Sequence, residues 1–182
     1  MISQTKTVWT IGHSTHSFNE FVTILHAWDI KRVADIRRFP GSRKFPQFNK
    51  DTLQENLLRE HIQYMHLPEL GGRRKPGKDS TNTVWRHPAF RGYADYMETD
   101  SFKSGIAILE HETLQQRTAY MCSEALWWRC HRSMVSDYLK AKGWTVWHIM
   151  GETKVEEHPY TSPAHFVNGE LRYGKQKNES DK

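Results

Sequence analysis

Short runs of β-branched and aromatic residues alternate with segments of helical periodicity, and this alternation constrains the fold more than any other feature of the chain. Residues 7–11 form one such run and residues 33–36 form another. Between them, apolar side chains recur at helical spacing, at Phe18, Phe21, Val22, Leu25 and Trp28. Two strands joined through one helix form a parallel pair with a right-handed crossover. The sequence therefore predicts an α/β fold.

The same alternation continues along the rest of the chain. Periodicity predicts helices over residues 51–61, 90–97, 102–109 and 134–139, and strands ending at Leu67, Met121 and Ile149. Asn168-Gly169 is typical of a type I′ turn in a β-hairpin. We expect a single α/β domain over residues 1–174, with a mainly parallel central sheet of about five strands, helices on both faces and a C-terminal β-hairpin. Residues 175–182 are polar, and we expect a disordered tail there.

Composition and charge narrow the classes of protein that fit. No apolar run approaches the roughly 20 residues of a membrane-spanning helix, and the N-terminus lacks a signal-peptide pattern. Two cysteines cannot form a disulfide framework, so we expect a cytoplasmic protein without membrane contact. The formal net charge is +5, and basic residues are concentrated in a few loops. That excess favours a nucleotide or nucleic acid as the partner.

The densest group of reactive side chains lies in residues 120–132. This stretch contains both cysteines of the chain, one glutamate, one histidine, two arginines and two tryptophans. It follows a predicted strand and precedes a predicted helix. In a parallel sheet, loops at such positions gather beside helix N-termini and bind ligands. The sequence therefore predicts a functional site here, but it does not specify the reaction.

The two cysteines admit alternative interpretations. Cys130 lies just before a predicted helix, where the positive end of the helix dipole lowers a thiol pKa. His131 and the neighbouring arginines would act in the same direction. Cys122 ends a strand, and a loop that folds back would join the two thiols as a redox pair. Both side chains would also suit small buried positions in the core.

Zinc binding and phosphatase chemistry are weaker interpretations of the same stretch. The candidate zinc ligands are Cys122, Cys130, His131 and one of Glu124, His13 and His148. Structural zinc sites usually have closely paired ligands, and this spacing lacks them. A phosphatase loop needs a cradle of backbone N–H groups, and no glycine separates Cys122 from Arg129. We therefore expect no metal and no other cofactor.

Two carboxylates lie at the ends of different predicted strands. Asp35 follows the second strand and Glu124 follows the fourth, so both would face one cleft and could share acid–base catalysis. Arg37 and Arg132 lie close to them in sequence. Each carboxylate could instead pair with an arginine and hold a loop in place. Both interpretations stay open at this point.

Basic, aromatic and polar side chains follow the same strand ends. The guanidinium group of arginine binds phosphate through paired N–H donors, and the ring of tryptophan stacks on nucleic-acid bases. Charge runs are often only solvated surface, but convergence with the strand ends favours an anion-binding cleft. The candidate substrate-binding residues are His13, Ser14, Arg37, Arg73, Trp127, Trp128, Cys130 and Arg132.

Four groups of residues, taken together, resemble a known family. They are Thr10-Ile11-Gly12-His13-Ser14, Val33-Ala34-Asp35-Ile36-Arg37, Leu70-Gly71-Gly72-Arg73, and Met121-Cys122-x-Glu124 followed by Cys130-His131-Arg132. Over residues 7–149 they resemble the bacterial and archaeal domain of unknown function 488. The resemblance implies a single α/β domain in the cytoplasm, but no particular reaction. It marks as signature positions Asp35, Arg37, Cys122, Glu124, Cys130, His131 and Arg132. Residues 125–128 depart from the family pattern, which is often more polar there and contains proline.

These observations support three hypotheses for the function. The leading one is an enzyme that binds a nucleotide or nucleic acid in a basic cleft and cleaves it by hydrolysis or at a glycosidic bond, with Asp35 and Glu124 as the acid–base pair. The alternative is a thiol-dependent or redox enzyme, with Cys122 or Cys130 as the nucleophile and His131 as its base. The third is a non-catalytic module that binds nucleic acid.

Overall fold

The opening strand, helix and strand form as the sequence pattern predicts. The structure is a computed structural model that describes residues 5–175. The first unit consists of β1 (Thr7–Gly12), α1 (Phe18–Ala27) and β2 (Arg32–Asp35). The side chain of Ser17 caps α1 by accepting a hydrogen bond of 3.1 Å from the backbone N–H of Glu20. This cap satisfies one of the free N–H groups at the helix start.

The remaining elements follow the predicted order, except that the strand Val155–Glu157 was not predicted. Most boundaries shift by one or two residues, but the helix Asp100–Gln115 extends six residues beyond its predicted end at Leu109. The helices are α2 (Lys50–Arg59), α3 (Pro88–Tyr96), α4 (Asp100–Gln115) and α5 (Arg132–Ala141). The strands are β3 (Gln63–His66), β4 (Thr118–Cys122), β5 (Thr145–Ile149), β6 (Val155–Glu157), β7 (His165–Val167) and β8 (Glu170–Arg172). Short 3-10 helices cover Pro46–Phe48, Pro68–Leu70 and Trp127–Arg129.

The central sheet has six strands in the order β3-β2-β4-β1-β5-β6. The first five strands in this order run parallel, and β6 pairs antiparallel with β5 at the edge. The register places Gly12 of β1 opposite Cys122 of β4, and Asp35 of β2 opposite Met121 of β4. The carboxyl ends of β1, β2 and β4 therefore reach the same edge of the sheet.

Side chains that alternate along the strands contribute to two separate hydrophobic cores, one on each face of the sheet. Val33 and Met121 belong to the core under α1 and α2, whereas Ala34 and Tyr120 belong to the core under α3, α4 and α5. Because both faces are covered, the strands are apolar on both sides, as is usual for a parallel sheet. The predicted single α/β domain with helices on both faces is confirmed.

The C-terminal hairpin also forms as predicted. Asn168 and Gly169 both adopt positive φ, at 52° and 78°, as a type I′ turn between β7 and β8 requires. The predicted tail begins at residue 175 and lies, from residue 176 onward, outside the described residues. Among residues 5–175, no helix combines the length and the apolar character needed to cross a membrane.

Candidate active site

A cavity of about 600 Å³ opens at the sheet edge where β1, β2 and β4 end. Its walls come from the turn after β1, the loop after β2, residues 72–73 and the loop between β4 and α5. Most of the predicted site residues line this cavity, namely His13, Ser14, Arg37, Arg73, Cys122, Glu124, Cys130 and His131. The parallel register explains this convergence, because it brings the loops that follow the strands to one place.

Asp35 is fully buried behind Arg37, and both oxygens of its carboxylate accept hydrogen bonds from protein groups. Arg37 donates to Oδ1 from its backbone N–H and from Nε, at 3.1 and 2.9 Å. Nη2 of Arg37 and the hydroxyl of Tyr64 donate to Oδ2, at 2.8 and 2.5 Å. Burial and the neighbouring carboxylate raise the pKa of Tyr64, so the phenol stays a donor. Asp35 thus anchors Arg37 and the loop after β2.

Glu124 occupies a different environment from Asp35. Its side chain is exposed and lines the cavity. Its backbone carbonyl points inward and accepts a hydrogen bond of 2.6 Å from Nη2 of Arg132. The structure therefore brings both carboxylate residues to one edge of the sheet, and of the two Glu124 is the one that lines the cavity.

The loop between β4 and α5 folds back and brings the two cysteines together. Their Sγ atoms lie 2.9 Å apart, and both residues line the cavity. Cys122 is buried, whereas Cys130 is partly exposed. At this distance the S–H group of one cysteine donates a hydrogen bond to the sulfur of the other. The arrangement is that of a dithiol pair.

Arg132 contacts both sulfurs. Its Nε donates to Cys122 at 3.0 Å, and its backbone N–H lies 3.4 Å from the sulfur of Cys130. Burial alone would raise the pKa of the Cys122 thiol, but the hydrogen bond from Cys130 and the charge of Arg132 lower it below the ordinary value. Burial and the neighbouring Cys122 sulfur raise the pKa of Cys130. The pair therefore releases its first proton readily and retains the second.

Arg132 itself lies inside the protein, 1% exposed, and faces the thiols rather than the open cavity. A buried cation requires a compensating anion or a full set of acceptors. Its acceptors besides sulfur are the hydroxyl of Thr10 and the carbonyls of Glu124 and Ala125. These acceptors are neutral groups, and a thiolate at Cys122 would supply the balancing charge.

Two histidines of the cavity wall are neutral at pH 7. Burial lowers the pKa of His13 to about 4, and it does the same for His131. His13 accepts from Nη1 of Arg37 at Nε2, at 3.3 Å, and donates from Nδ1 to the carbonyl of Ser14 at 2.9 Å. His131 donates from Nε2 to the carbonyl of Ile36 at 2.9 Å. Each ring is thereby held in one tautomer, and His131 packs against the backbone rather than on a sulfur.

The two adjacent tryptophans differ in accessibility. Trp127 is 9% exposed and stacks on His148 with ring centroids 4.5 Å apart. Trp128 is 48% exposed and stands at right angles to Trp127. Of the two predicted base-stacking residues, Trp128 is therefore the one whose ring a ligand can reach. Neither forms the cavity wall.

Arg38 and Phe39 line the cavity although they were not among the predicted site residues. Phe39 is 62% exposed, and the guanidinium of Arg38 lies 5.2 Å from the centre of its ring. Arg38 also donates to the carbonyl of Arg73 at 3.0 Å. Arg73 adopts a positive φ of 60°, which costs roughly 1 kcal/mol for a residue other than glycine. The run of basic and aromatic residues after β2 was the signal for these positions.

No group of three or more histidine, cysteine or acidic side chains in residues 5–175 is placed to hold a metal ion. Of the candidate zinc ligands, the two sulfurs meet each other, and the ring of His131 is directed to Ile36. His148 is enclosed beneath Trp127. The site therefore offers two soft ligands rather than the four of a structural zinc site.

A comparison with protein-family models identifies the chain. The model described as Domain of unknown function DUF488 matches residues 17–139, which is more than half of the sequence. The chain is a DUF488 protein. The predicted membership is confirmed. No curated protein and no solved structure matches it.

The DUF488 match contains most of the site but not all of it. It includes Asp35 and the stretch from Cys122 to Arg132, whereas His13 and Ser14 precede it. The family description gives no reaction.

Proposed function

We propose that this DUF488 protein is a thiol-dependent redox enzyme in which Cys122 and Cys130 cycle between a dithiol and a disulfide. The observation that supports this most directly is the 2.9 Å separation of the two sulfurs in the cavity wall. The guanidinium of Arg132 bonded to Cys122 adds to it. Thiols with a purely structural role are buried as neutral groups and need no buried cation beside them.

Oxidation of the two cysteines is balanced in electrons and protons when the electron acceptor is a substrate disulfide. Cys130 is the more exposed thiol, and passing its proton to Cys122 makes it the nucleophile. Its sulfur attacks the substrate disulfide, forms a mixed disulfide and releases one thiolate. Cys122 then attacks the sulfur of Cys130, and the second substrate sulfur leaves with the proton of Cys122. The protein loses one proton and two electrons, and the substrate becomes one thiol and one thiolate.

The substrate of this reaction is anionic in our proposal. Arg37, Arg38 and Arg73 all line the cavity, and guanidinium groups bind phosphate and carboxylate through paired N–H donors. The exposed ring of Phe39 is a surface on which a base can stack. We therefore propose a disulfide that carries a phosphate or carboxylate group as the substrate, and a nucleotide or a nucleic acid as a separate partner that the same arginines bind.

Hydrolytic or glycosidic cleavage by Asp35 and Glu124 is the less favoured proposal. General acid–base catalysis needs a carboxylate within hydrogen-bond reach of the substrate. Glu124 meets that condition as an exposed cavity residue. Asp35 is fully buried and accepts four hydrogen bonds from Arg37 and Tyr64. The thiol pair is the better-placed reactive group.

The test is to measure the reactivity of the thiols and the state of the pair. Iodoacetamide should alkylate the reduced protein well below pH 8.5, the ordinary pKa of a cysteine thiol. Oxidised glutathione, which is an anionic disulfide, should convert the pair to an internal disulfide, observed by mass spectrometry as a mass lower by two hydrogen atoms. Cys130→Ser should abolish the internal disulfide.

Ser104→Ala is the control, since it removes an exposed hydroxyl on α4 that lies outside the cavity wall. It should behave like the wild-type protein. Alkylation that starts only above about pH 8.5, together with no internal disulfide after oxidised glutathione, would exclude the proposed redox function.

A further inference from the structure

A buried hydrogen-bond chain leads from Arg132 away from the cavity, and the reaction proposed above does not involve it. Nη1 of Arg132 donates to Oγ1 of Thr10 at 3.0 Å, and Oγ1 of Thr10 lies 2.6 Å from Nδ1 of His148. Nε2 of His148 lies 2.8 Å from Nδ1 of His158, and Nε2 of His158 lies 2.8 Å from Oδ1 of Asp137. All five side chains are at most 1% exposed.

Asp137 lies at the far end of this hydrogen-bond chain, and its carboxylate accepts four hydrogen bonds. Its carboxylate accepts from Nε2 of His158, from the backbone N–H and the hydroxyl of Thr161, and from the hydroxyl of Tyr173. All four of these groups donate to the carboxylate, which acts only as an acceptor. It therefore keeps a proton on Nε2 of His158.

This proton on His158 sets the direction of every other bond in the chain. With its proton on Nε2 and its Nδ1 as the acceptor, His158 accepts from Nε2 of His148. His148 then accepts at Nδ1 the hydroxyl proton of Thr10. The oxygen of Thr10 is left to accept from Arg132. Each donor in the series is matched with one acceptor. The last acceptor is the oxygen of Thr10, and it faces the guanidinium of Arg132.

The chain ties Arg132 to the centre of the sheet. Thr10 and His148 lie opposite each other in the register of β1 and β5, and β1 is flanked by strands on both sides. The other guanidinium acceptors, the carbonyls of Glu124 and Ala125, belong to the same loop as the cysteines. Thr10 is therefore the side chain that fixes Arg132 relative to the rigid part of the fold.

We propose that Thr10, His148, His158 and Asp137 are positioning residues for the thiol chemistry, because they hold the guanidinium of Arg132 against the sulfur of Cys122. This inference rests on the proposed function, since positioning matters only where the thiols react. Trp127 covers the chain by stacking on His148 with a ring tilt of 3° and by meeting His158 edge-on. The cover keeps water away from the imidazoles and strengthens their hydrogen bonds.

Several ionisable groups among residues 5–175 lie beside this hydrogen-bond chain. Cys122 and Cys130 lie at its near end and Tyr173 at its far end, while Lys140 donates to the carbonyl of His158 and Tyr120 reaches α5 through Ser136. Burial lowers the pKa of His148 to about 2, so its ring stays neutral. His148 therefore keeps one donor and one acceptor across the pH range of the thiol reaction.

The experiment replaces Thr10 by valine, which has nearly the same shape but neither accepts from Arg132 nor donates to His148. The iodoacetamide profile of Thr10→Val should shift upward by about one pH unit, so that alkylation is about tenfold slower at pH values well below the midpoint of the wild-type profile. Thr113→Val is the matched control. Thr113 is also buried, and its hydroxyl bonds the carbonyl of Leu109 within its own helix. That variant should keep the wild-type profile.

A second measurement needs no substitution. Nitrogen-15 NMR of the reduced wild-type protein should show His148 and His158 both neutral and both protonated on Nε2. Protonation of His148 on Nδ1 would overturn the inference even if the Thr10→Val protein does not fold. A folded Thr10→Val protein with the wild-type alkylation profile would overturn it as well. If the wild-type thiols themselves react only above about pH 8.5, the redox proposal fails first, and this outcome is distinct from an unshifted variant.

Discussion

Asp35 shows how one buried charge is accommodated at the scale of a residue. An ionised carboxylate without partners could not remain in the interior, because its desolvation would cost several kcal/mol. Arg37 supplies three hydrogen bonds and the opposite charge, and Tyr64 supplies a further hydrogen bond. The same guanidinium reaches the carbonyl of Phe48 at 2.6 Å and Nε2 of His13 at 3.3 Å. Asp35 therefore organises the cavity wall through Arg37.

We predict that Asp35→Ala destabilises the protein by about 3–5 kcal/mol, because it leaves Arg37 largely buried without its anion. Denaturation by urea, followed by circular dichroism, measures this change. Glu55→Ala is the control, since it breaks an exposed pair with Arg59 and should change the stability little. A stable Asp35→Ala protein would contradict the anchoring role and favour a catalytic one.

At the scale of the elements, a close contact between two strand ends positions the cysteine loop. Gly12 ends β1, and a Cβ built on it would lie 1.7 Å from the carbonyl oxygen of Glu124 and 2.9 Å from Nη2 of Arg132. The loop after β4 therefore packs directly on the backbone of β1. Only a residue without a side chain permits this approach.

We predict that Gly12→Ala moves the loop that carries Cys122, destabilises the fold by about 1–3 kcal/mol through overpacking and slows alkylation of the thiols. Thermal melting and the iodoacetamide assay test both effects. Gly151→Ala is the control, because no atom lies within 4 Å of its added Cβ and its φ is not positive. Equal melting temperatures for the two variants would contradict the proposed contact.

The elements also show where sequence periodicity failed. The helices and the parallel strands have apolar repeats long enough to be recognised, and their order was predicted. The edge strand β6 (Val155–Glu157) was not predicted, because three residues carry too little periodicity. It forms because β5 offers it an unpaired edge. Residues 71–87 form no helix or strand between Pro68–Leu70 and α3.

At the scale of the whole molecule, buried neutral histidines couple stability to pH. Burial lowers the pKa of His13 and His131 to about 4, and that of His148 to about 2, whereas an unfolded histidine titrates near 6.5. Below pH 6.5 the unfolded chain binds protons that the folded chain does not. The free energy of unfolding therefore falls as the pH decreases from about 6.5 toward 4, and this contribution is fully present above 6.5.

We predict a decrease of at most about 1.4 kcal/mol per pH unit for each such histidine in that range. Urea denaturation at a series of pH values measures the slope. His13→Gln should make the slope shallower, since glutamine does not titrate there. His111→Gln is the control, because His111 is exposed on α4 and should leave the slope unchanged. A slope that does not differ between the two variants would contradict the assignment for His13.

Local chemistry determined much of this protein from the sequence by itself. The α/β class, the order of its main elements, the Ser17 cap, the Asn168-Gly169 turn and the place of the cysteine stretch at a strand end all follow from patterns within a few residues. Each depends on periodicity or on the backbone preference of one or two side chains. Most of the predicted site residues accordingly line the cavity.

Only the tertiary structure decided which polar groups meet. It placed Asp35 on Arg37, joined Cys122 to Cys130, and linked Arg132 to Thr10 and His148 across 122 and then 138 positions of the sequence. Periodicity indicates that a side chain is buried, but it carries no information about its hydrogen-bond partner. That partner depends on strand register and helix packing, because a buried polar group requires whichever donor or acceptor the fold brings within about 3 Å of it.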